Sequence, residues 1–254
     1  MKKAILVASF GTTHLDTLEK TILPVEQAVA DAFPDIPCFR AFTSPTVRRR
    51  LKESFGMEVD SVEQALDRLA REGFTHVALL PTLLLPGEEY NAMLERVKAA
   101  PAGLQVSVGL PLLWEDRDLS FLARTLIDEY PMPPDTVLLA MGHGTAHEAD
   151  ERYLRLREYM TALGMELCTV EGSMDFAAAV QNLLALPQRK VHLVPLLLVA
   201  GEHSKNDMAG PGPDSLRSLL TAAGFEVSCT LKGLGELPAI RRKYVQRLRQ
   251  LELD

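Results

Sequence analysis

The chain has 254 residues with 34 acidic against 27 basic side chains, a formal charge of −7, so it lacks the concentrated basic face that a nucleic-acid backbone requires. Its three cysteines, Cys38, Cys168 and Cys229, are too widely spaced for a zinc or iron–sulfur motif and suit a reducing compartment. Lys2-Lys3 ahead of the apolar run 4–10 imitates the start of a signal peptide, but Gly11 ends that run and no other stretch is long enough to span a membrane.

In chain order, residues 4–9 predict a first strand. The turn Gly11-Thr12-Thr13 leads into a helix with an apolar stripe at Leu18, Ile22, Val25, Val29 and Phe33, which Pro24 is expected to kink. A second strand is predicted over 37–43, followed by a helix start at Thr43-Ser44-Pro45 and the basic Arg48-Arg49-Arg50. Ser61 with Gln64 forms a capping-box pattern before Val62, Ala65, Leu66 and Leu69. A third strand is expected from 76 to about 85, then a helix over 88–98, a short strand over 105–108 and a helix through 119–127. Pro131, Pro133 and Pro134 read as the linker. The second half repeats the alternation: strand 136–141, the loop GHGTAH, a helix striped by Tyr153, Leu156, Met160 and Leu163, strand 166–170, helix 174–185, and an apolar strand over 191–199. Helix 216–223, strand 225–230 and a final helix with Leu237, Ile240, Tyr244, Leu248 and Leu251 on one side complete the chain. The basic residues around that last helix read as a solvated face.

Strand alternating with helix throughout predicts an α/β protein of two similar Rossmann-like domains, each a parallel sheet flanked by helices, with a cleft between them. The expected boundaries are 1–130 and 131–254, with the last helix able to pack back on the first domain. An internal repeat supports the pairing. LLPTLLLPGEE (79–89) runs parallel to LVPLLLVAGEH (193–203), and ASFGT (8–12) to MGHGT (141–145), which sets Glu89 against His203 and Phe10 against His143.

Three loops of the second half begin where a predicted strand ends and open with a metal-ligand side chain: His143, Glu171 and His203. Parallel strands put such loops on one edge of the sheet, where open α/β folds bind ligands. Two imidazoles and a carboxylate can hold a divalent first-row metal and leave positions open for a substrate. His147 is read as a helix-start residue, and His76 and His192 as rim residues of matching strands. Glu88 and Glu89 either handle protons and incoming metal or simply begin a helix. There is no P-loop, dinucleotide fingerprint or nucleophile elbow.

Taken together, GHGT around His143, VEG around Glu171, GEHSKNDMAG around His203, and the first-half pieces SFGT, FTSPTVRRRL and PGEEY resemble the anaerobic sirohydrochlorin cobaltochelatases of the class II chelatases. That group also includes protoporphyrin ferrochelatase. The resemblance implies a tetrapyrrole held between two Rossmann-like domains, with the metal on His143, Glu171 and His203. It implies insertion of Co2+ into sirohydrochlorin on the route to cobalamin, with Fe2+ insertion for sirohaem as the close alternative. His143 and Glu89 are then the candidates for proton handling. Phe10 is the candidate for packing on the ring, and Arg48 and Lys205 for holding its carboxylates. Exported relatives that bind haem between subunits carry a histidine just before the PGEEY-like segment. This chain has Leu83, Leu84 and Leu85 there and no leader, which implies a cytoplasmic form without haem. A homo-oligomer is compatible with this reading. A tetrapyrrole or metal carrier would use the same residues without turnover, and a sugar-binding or sensor module would need no histidine–carboxylate set.

Overall fold

The computed structural model describes residues 1–251 and resolves into two compact units, Met1–Trp114 with the segment from Gly235 onward, and Glu115–Leu234. Each unit is built on a four-stranded, all-parallel sheet with helices packed against it, the α/β class expected.

In the first unit, β1 (Lys3–Ser9) is followed by a helical turn α1 (Leu15–Thr17), a π-helical turn (Leu18–Ile22) and α2 (Leu23–Ala32). Then come β2 (Cys38–Phe42), α3 (Pro45–Phe55), α4 (Val62–Arg71), β3 (His76–Pro81), α5 (Glu88–Lys98) and β4 (Gln105–Val108). The strand order is β2-β1-β3-β4. One face of the sheet, with Ala4, Leu6, Ala8, Val77 and Leu79, packs on Val62, Ala65, Leu66 and Leu69 of α4 and on Tyr90 and Met93 of α5. The apolar spacing of α4 accounts for that contact, and the Ser61–Gln64 capping box starts the helix as the sequence predicts. Pro24 perturbs its helix as expected: it cannot donate to the preceding turn, and the residues just before it widen to a π-helical turn, with the Leu23 N–H bonding back to Leu18.

The second unit holds α6 (Asp116–Glu129), β5 (Thr136–Gly142), a short 3-10 turn (Glu148–Asp150), α7 (Glu151–Thr161), β6 (Met165–Thr169), α8 (Phe176–Leu184), β7 (Lys190–Pro195), a π-helical turn (Ser204–Met208), α9 (Leu216–Ala222) and β8 (Glu226–Cys229). Its order is β6-β5-β7-β8, the same arrangement as the first sheet when strands are counted from the start of each half. Val137, Leu139, Met141, Val191 and Leu193 pack with Ala179 and Leu183 of α8 and Leu216 and Leu220 of α9.

The division differs from the 130/131 boundary expected from the prolines. Helix α6 belongs with the second unit: it packs on α7, Asp116 pairs with Arg152 and Arg155, and Glu129 pairs with Lys232. The proline-rich stretch is therefore a turn between α6 and β5. Helix α10 (Pro238–Arg249) returns to the first unit, on α2 and β3, where the Tyr244 hydroxyl donates to the Thr82 carbonyl at 3.0 Å. Arg247, expected on a solvated face, is only 2% exposed and donates to the Leu112 carbonyl at 3.4 Å.

Two strands are shorter than their apolar runs. β3 stops at Pro81 and β7 at Pro195, opposite Ala8 of β1 and Met141 of β5. The runs continue as irregular backbone, the first held by Leu112 and Leu113 N–H to the Leu83 and Leu84 carbonyls at 2.9 and 2.8 Å, the second by Leu196 N–H to the Met141 carbonyl at 2.7 Å and Leu234 N–H to the Leu197 carbonyl at 2.8 Å. Leu196 and Leu198 stay buried all the same, so apolarity there reports burial and not strand.

Candidate metal centre

Strand order gathers the loops of the second unit. β6, β5 and β7 are parallel neighbours, so their carboxyl ends at Thr169, Gly142 and Pro195 share one edge. Beyond the strands the ladder continues, with the Val170 N–H donating to the Gly142 carbonyl at 3.1 Å and the Glu171 N–H to the His143 carbonyl at 2.7 Å. Gly144 permits this crossing. Its φ is +79°, and a Cβ there would stand 1.6 Å from the Glu171 carbonyl oxygen. Tyr153 of α7 lies beneath the loop, its ring 2.8 Å from where a Cβ on Gly142 would stand. Burial pushes that phenol up to about 12, so it is a neutral support.

His203 precedes the π-helical turn Ser204–Met208, whose Lys205 N–H bonds the Gly201 carbonyl at 3.0 Å. The turn brings Asp207 to the ring, with Nδ1 of His203 2.6 Å from Oδ2 of Asp207. Nδ1 of His143 lies 3.0 Å from the Gly144 carbonyl oxygen. Carbonyl and carboxylate oxygens only accept, so in each neutral ring the proton sits on Nδ1 and Nε2 keeps its lone pair. The two rings stand edge to face, with centroids 4.8 Å apart and planes at 90°. They form a pair of nitrogen donors of the type first-row divalent metals accept, each oriented by an oxygen on its far side.

Glu171 enters through its main chain. Its side chain is exposed, and among the described residues no three His, Cys, Asp or Glu side chains are gathered closely enough to hold a metal ion. Of the three expected ligands, the structure thus brings two side chains together and sets the backbone of the third beside His143. Lys205 is half-buried in the turn after His203. The remaining candidates lie in the first unit, each beyond the carboxyl end of a strand. Phe10 follows β1 and is 48% exposed. Arg48, on α3, donates to the Gln64 side chain at 3.1 Å. Glu89 is exposed in the first turn of α5.

The other histidines have structural partners. Nδ1 of His147 accepts the Ala149 N–H at 3.0 Å and caps the turn at Glu148–Asp150, the helix-start role expected. His192 bridges Ser228 at 2.8 Å and Thr230 at 2.9 Å, and burial lowers its pKa below the ordinary histidine value.

Over residues 3–252 the sequence matches the family described as cobalt chelatase (CbiK). The chain belongs to the CbiK family of cobalt chelatases. Among curated relatives, the chain is 38% identical to the sirohydrochlorin cobaltochelatase of Salmonella typhimurium, covering 98% of this chain and 96% of that one. It is 34% identical to the sirohydrochlorin cobaltochelatase CbiKC of Nitratidesulfovibrio vulgaris, covering 92% of this chain and 85% of the other. The structure is similar to that of SirB from Bacillus subtilis with Fe3+, at a TM-score of 0.68, with 16% identity and coverage of 100% and 96%. At that identity the likeness speaks for the fold alone.

Sequence reasoning missed Asp150, whose carboxylate accepts the Thr145 N–H at 3.3 Å and the Ser173 N–H at 3.0 Å, Tyr153 as a support, and Asp207. The last had a signal: the four-residue spacing from His203 to Asp207 is a helical neighbour relation. Asp150 had none, because its partners lie on loops after two different strands.

Proposed function

We propose that the chain catalyses insertion of Co2+ into sirohydrochlorin, with His143, Glu171 and His203 as the residues that receive the metal ion. Membership of the CbiK family supports the reaction, and the two imidazoles with anchored Nδ1 atoms support the site. The ion is a substrate. It must be held firmly enough to be stripped of water and loosely enough to be passed on, which suits two neutral nitrogens and one carboxylate. Glu171, exposed and tethered at its backbone, closes on the ion as the third ligand.

Metal entry displaces two pyrrole protons, so the balance is sirohydrochlorin plus Co2+ giving cobalt-sirohydrochlorin plus two protons. Nε2 of His143 becomes free as the metal transfers to the ring, and as a neutral imidazole it is the proton acceptor we assign. Glu89 passes protons or incoming metal, Arg48 and Lys205 bind substrate carboxylates, and Phe10 packs on the macrocycle. We place the reaction in the cytoplasm, in keeping with three free thiols. Among the described residues no helix is long and apolar enough to cross a membrane.

The test is anaerobic incubation of the protein with sirohydrochlorin and Co2+, followed by absorption. Turnover well above the uncatalysed rate, over many equivalents of protein, is expected. A single stoichiometric binding change would identify a carrier instead, and parallel reactions with Fe2+ measure metal preference.

A further inference from the structure

The carboxylate of Asp150, at the end of the 3-10 turn before α7, is shared between two loops. Oδ1 accepts the Thr145 N–H at 3.3 Å, two residues after His143. Oδ2 accepts the Ser173 N–H at 3.0 Å and the Ser173 hydroxyl at 2.7 Å, two residues after Glu171. Between these anchors the two loops are joined directly, Glu171 N–H to the His143 carbonyl at 2.7 Å. The segment Glu171–Ser173 is therefore pinned at both ends, to His143 at one and to Asp150 at the other. Gly172 fits this clasp closely: its φ is +90°, and a Cβ on it would meet Oδ1 of Asp150 at 2.5 Å.

We propose that Asp150 is a positioning residue that fixes the Glu171 loop against the His143 loop, and so sets the spacing at which the pair receives Co2+. The inference rests on the assignment of His143 and Glu171 as ligands. Asp150 is distinct from the partner of His203, since Asp207 orients a ring through Nδ1 whereas Asp150 touches no ligand side chain and acts through main-chain donors. Its geometry suits that task, because a carboxylate offers two acceptor oxygens and both loops present donors. The contacts also explain how an exposed glutamate can serve as a ligand. Its side chain is free to close on the ion, while its Cα is held.

The experiment compares Asp150→Ala, Asp150→Asn, Glu171→Ala and the double variant Asp150→Ala/Glu171→Ala in the full chain. It measures Co2+ affinity by anaerobic calorimetry, the visible absorption of bound Co2+, and the melting temperature. Asp150→Ala is expected to weaken Co2+ binding about 10- to 100-fold, the range typical of residues that orient metal ligands, and to change the cobalt absorption bands. Asp150→Asn retains one acceptor oxygen and one loop, and so loses less. If Asp150 acts through Glu171, the double variant binds no more weakly than Glu171→Ala alone. Losses that multiply in the double variant overturn the proposal. So does a lowered melting temperature with Co2+ affinity and spectrum like the parent, which marks a purely structural role. Should Asp150→Ala fail to fold, Asp150→Asn decides, and parent-like affinity and bands in it count against the proposal. A Glu171→Ala variant that binds Co2+ like the parent overturns the ligand assignment and this inference with it. A weakened Glu171→Ala beside a parent-like Asp150→Ala overturns the inference alone.

Discussion

A single methyl group at Gly144 should separate the two proposed ligand loops. In Gly144→Ala the new Cβ falls 1.6 Å from the Glu171 carbonyl oxygen and 2.5 Å from its carbon, where a carbon otherwise approaches a carbonyl oxygen to about 3.3 Å. Those two atoms belong to backbone and a third, Cβ of Thr169 at 2.8 Å, is fixed by its own backbone, so no rotamer change relieves the clash, and the loops must part by more than an ångström. The φ of +79° adds the left-handed penalty of an L-residue, about 1–2 kcal/mol. Parting the loops also breaks the bond from Glu171 N–H to the His143 carbonyl, for a further ~1 kcal/mol. The expected loss of stability is about 2–3 kcal/mol. Misplacing reacting groups by about 1 Å can lower a rate roughly 100-fold, and that is the expected loss in cobalt insertion. Gly164 is the control: its φ is +77° and nothing lies within 4 Å of the Cβ it would carry. Gly164→Ala should lose about 1–2 kcal/mol and bind Co2+ like the parent. Urea denaturation, Co2+ calorimetry and chelation rates on the three proteins make the comparison. Equal Co2+ affinity and equal rates in Gly144→Ala and Gly164→Ala would refute the coupling of these loops to the metal.

Asp207→Ala frees Nδ1 of His203 and should weaken Co2+ binding about 10- to 100-fold; Asp207→Asn, whose amide oxygen can still accept, should lose less, and an unchanged affinity in the alanine variant would remove Asp207 from the site. His203→Ala should abolish most Co2+ affinity, whereas Glu89→Ala should leave it nearly intact and slow turnover; equal affinity losses would make Glu89 a ligand. His192 supplies a pH test. Burial holds its folded pKa below the ordinary value of about 6.5, so the unfolded chain binds a proton that the folded chain does not. Stability should therefore fall as pH drops through that value, and urea titrations should show a shallower fall in His192→Gln. Parallel curves for the two proteins would mean that His192 is not held neutral.

The elements were legible wherever a local pattern decides them. The strand over 105–108 and the helix over 88–98 match the observed β4 and α5, and the Ser61–Gln64 box marks the start of α4. Local patterns failed where tertiary context decides. Leu196 and Leu198 look like strand because they are buried, but β7 ends at Pro195, level with Met141 of β5. Pro131, Pro133 and Pro134 mark a turn, and prolines carry no information about which side of it α6 packs on. His143 and His203 could be found because each follows the end of a strand, and parallel strands present their loops on one edge. That β6 and β7 both flank β5 is a fact of topology, and it is what turns separate loop residues into neighbours. Asp207 lies four residues from His203 and was open to a reading by spacing, whereas the two loops that meet at Asp150 are brought together by that adjacency alone.

The central claim concerns which atoms receive the metal, and a crystal of the protein soaked anaerobically in Co2+, with anomalous scattering recorded at the cobalt edge, tests it directly. One peak is expected within about 2.1 Å of both Nε2 of His143 and Nε2 of His203, with the Glu171 carboxylate turned in as the third protein ligand and both Nδ1 atoms still bonded to the Gly144 carbonyl and Asp207. A peak bonded through Nδ1, on Glu89, or distant from His143 and His203 would contradict it.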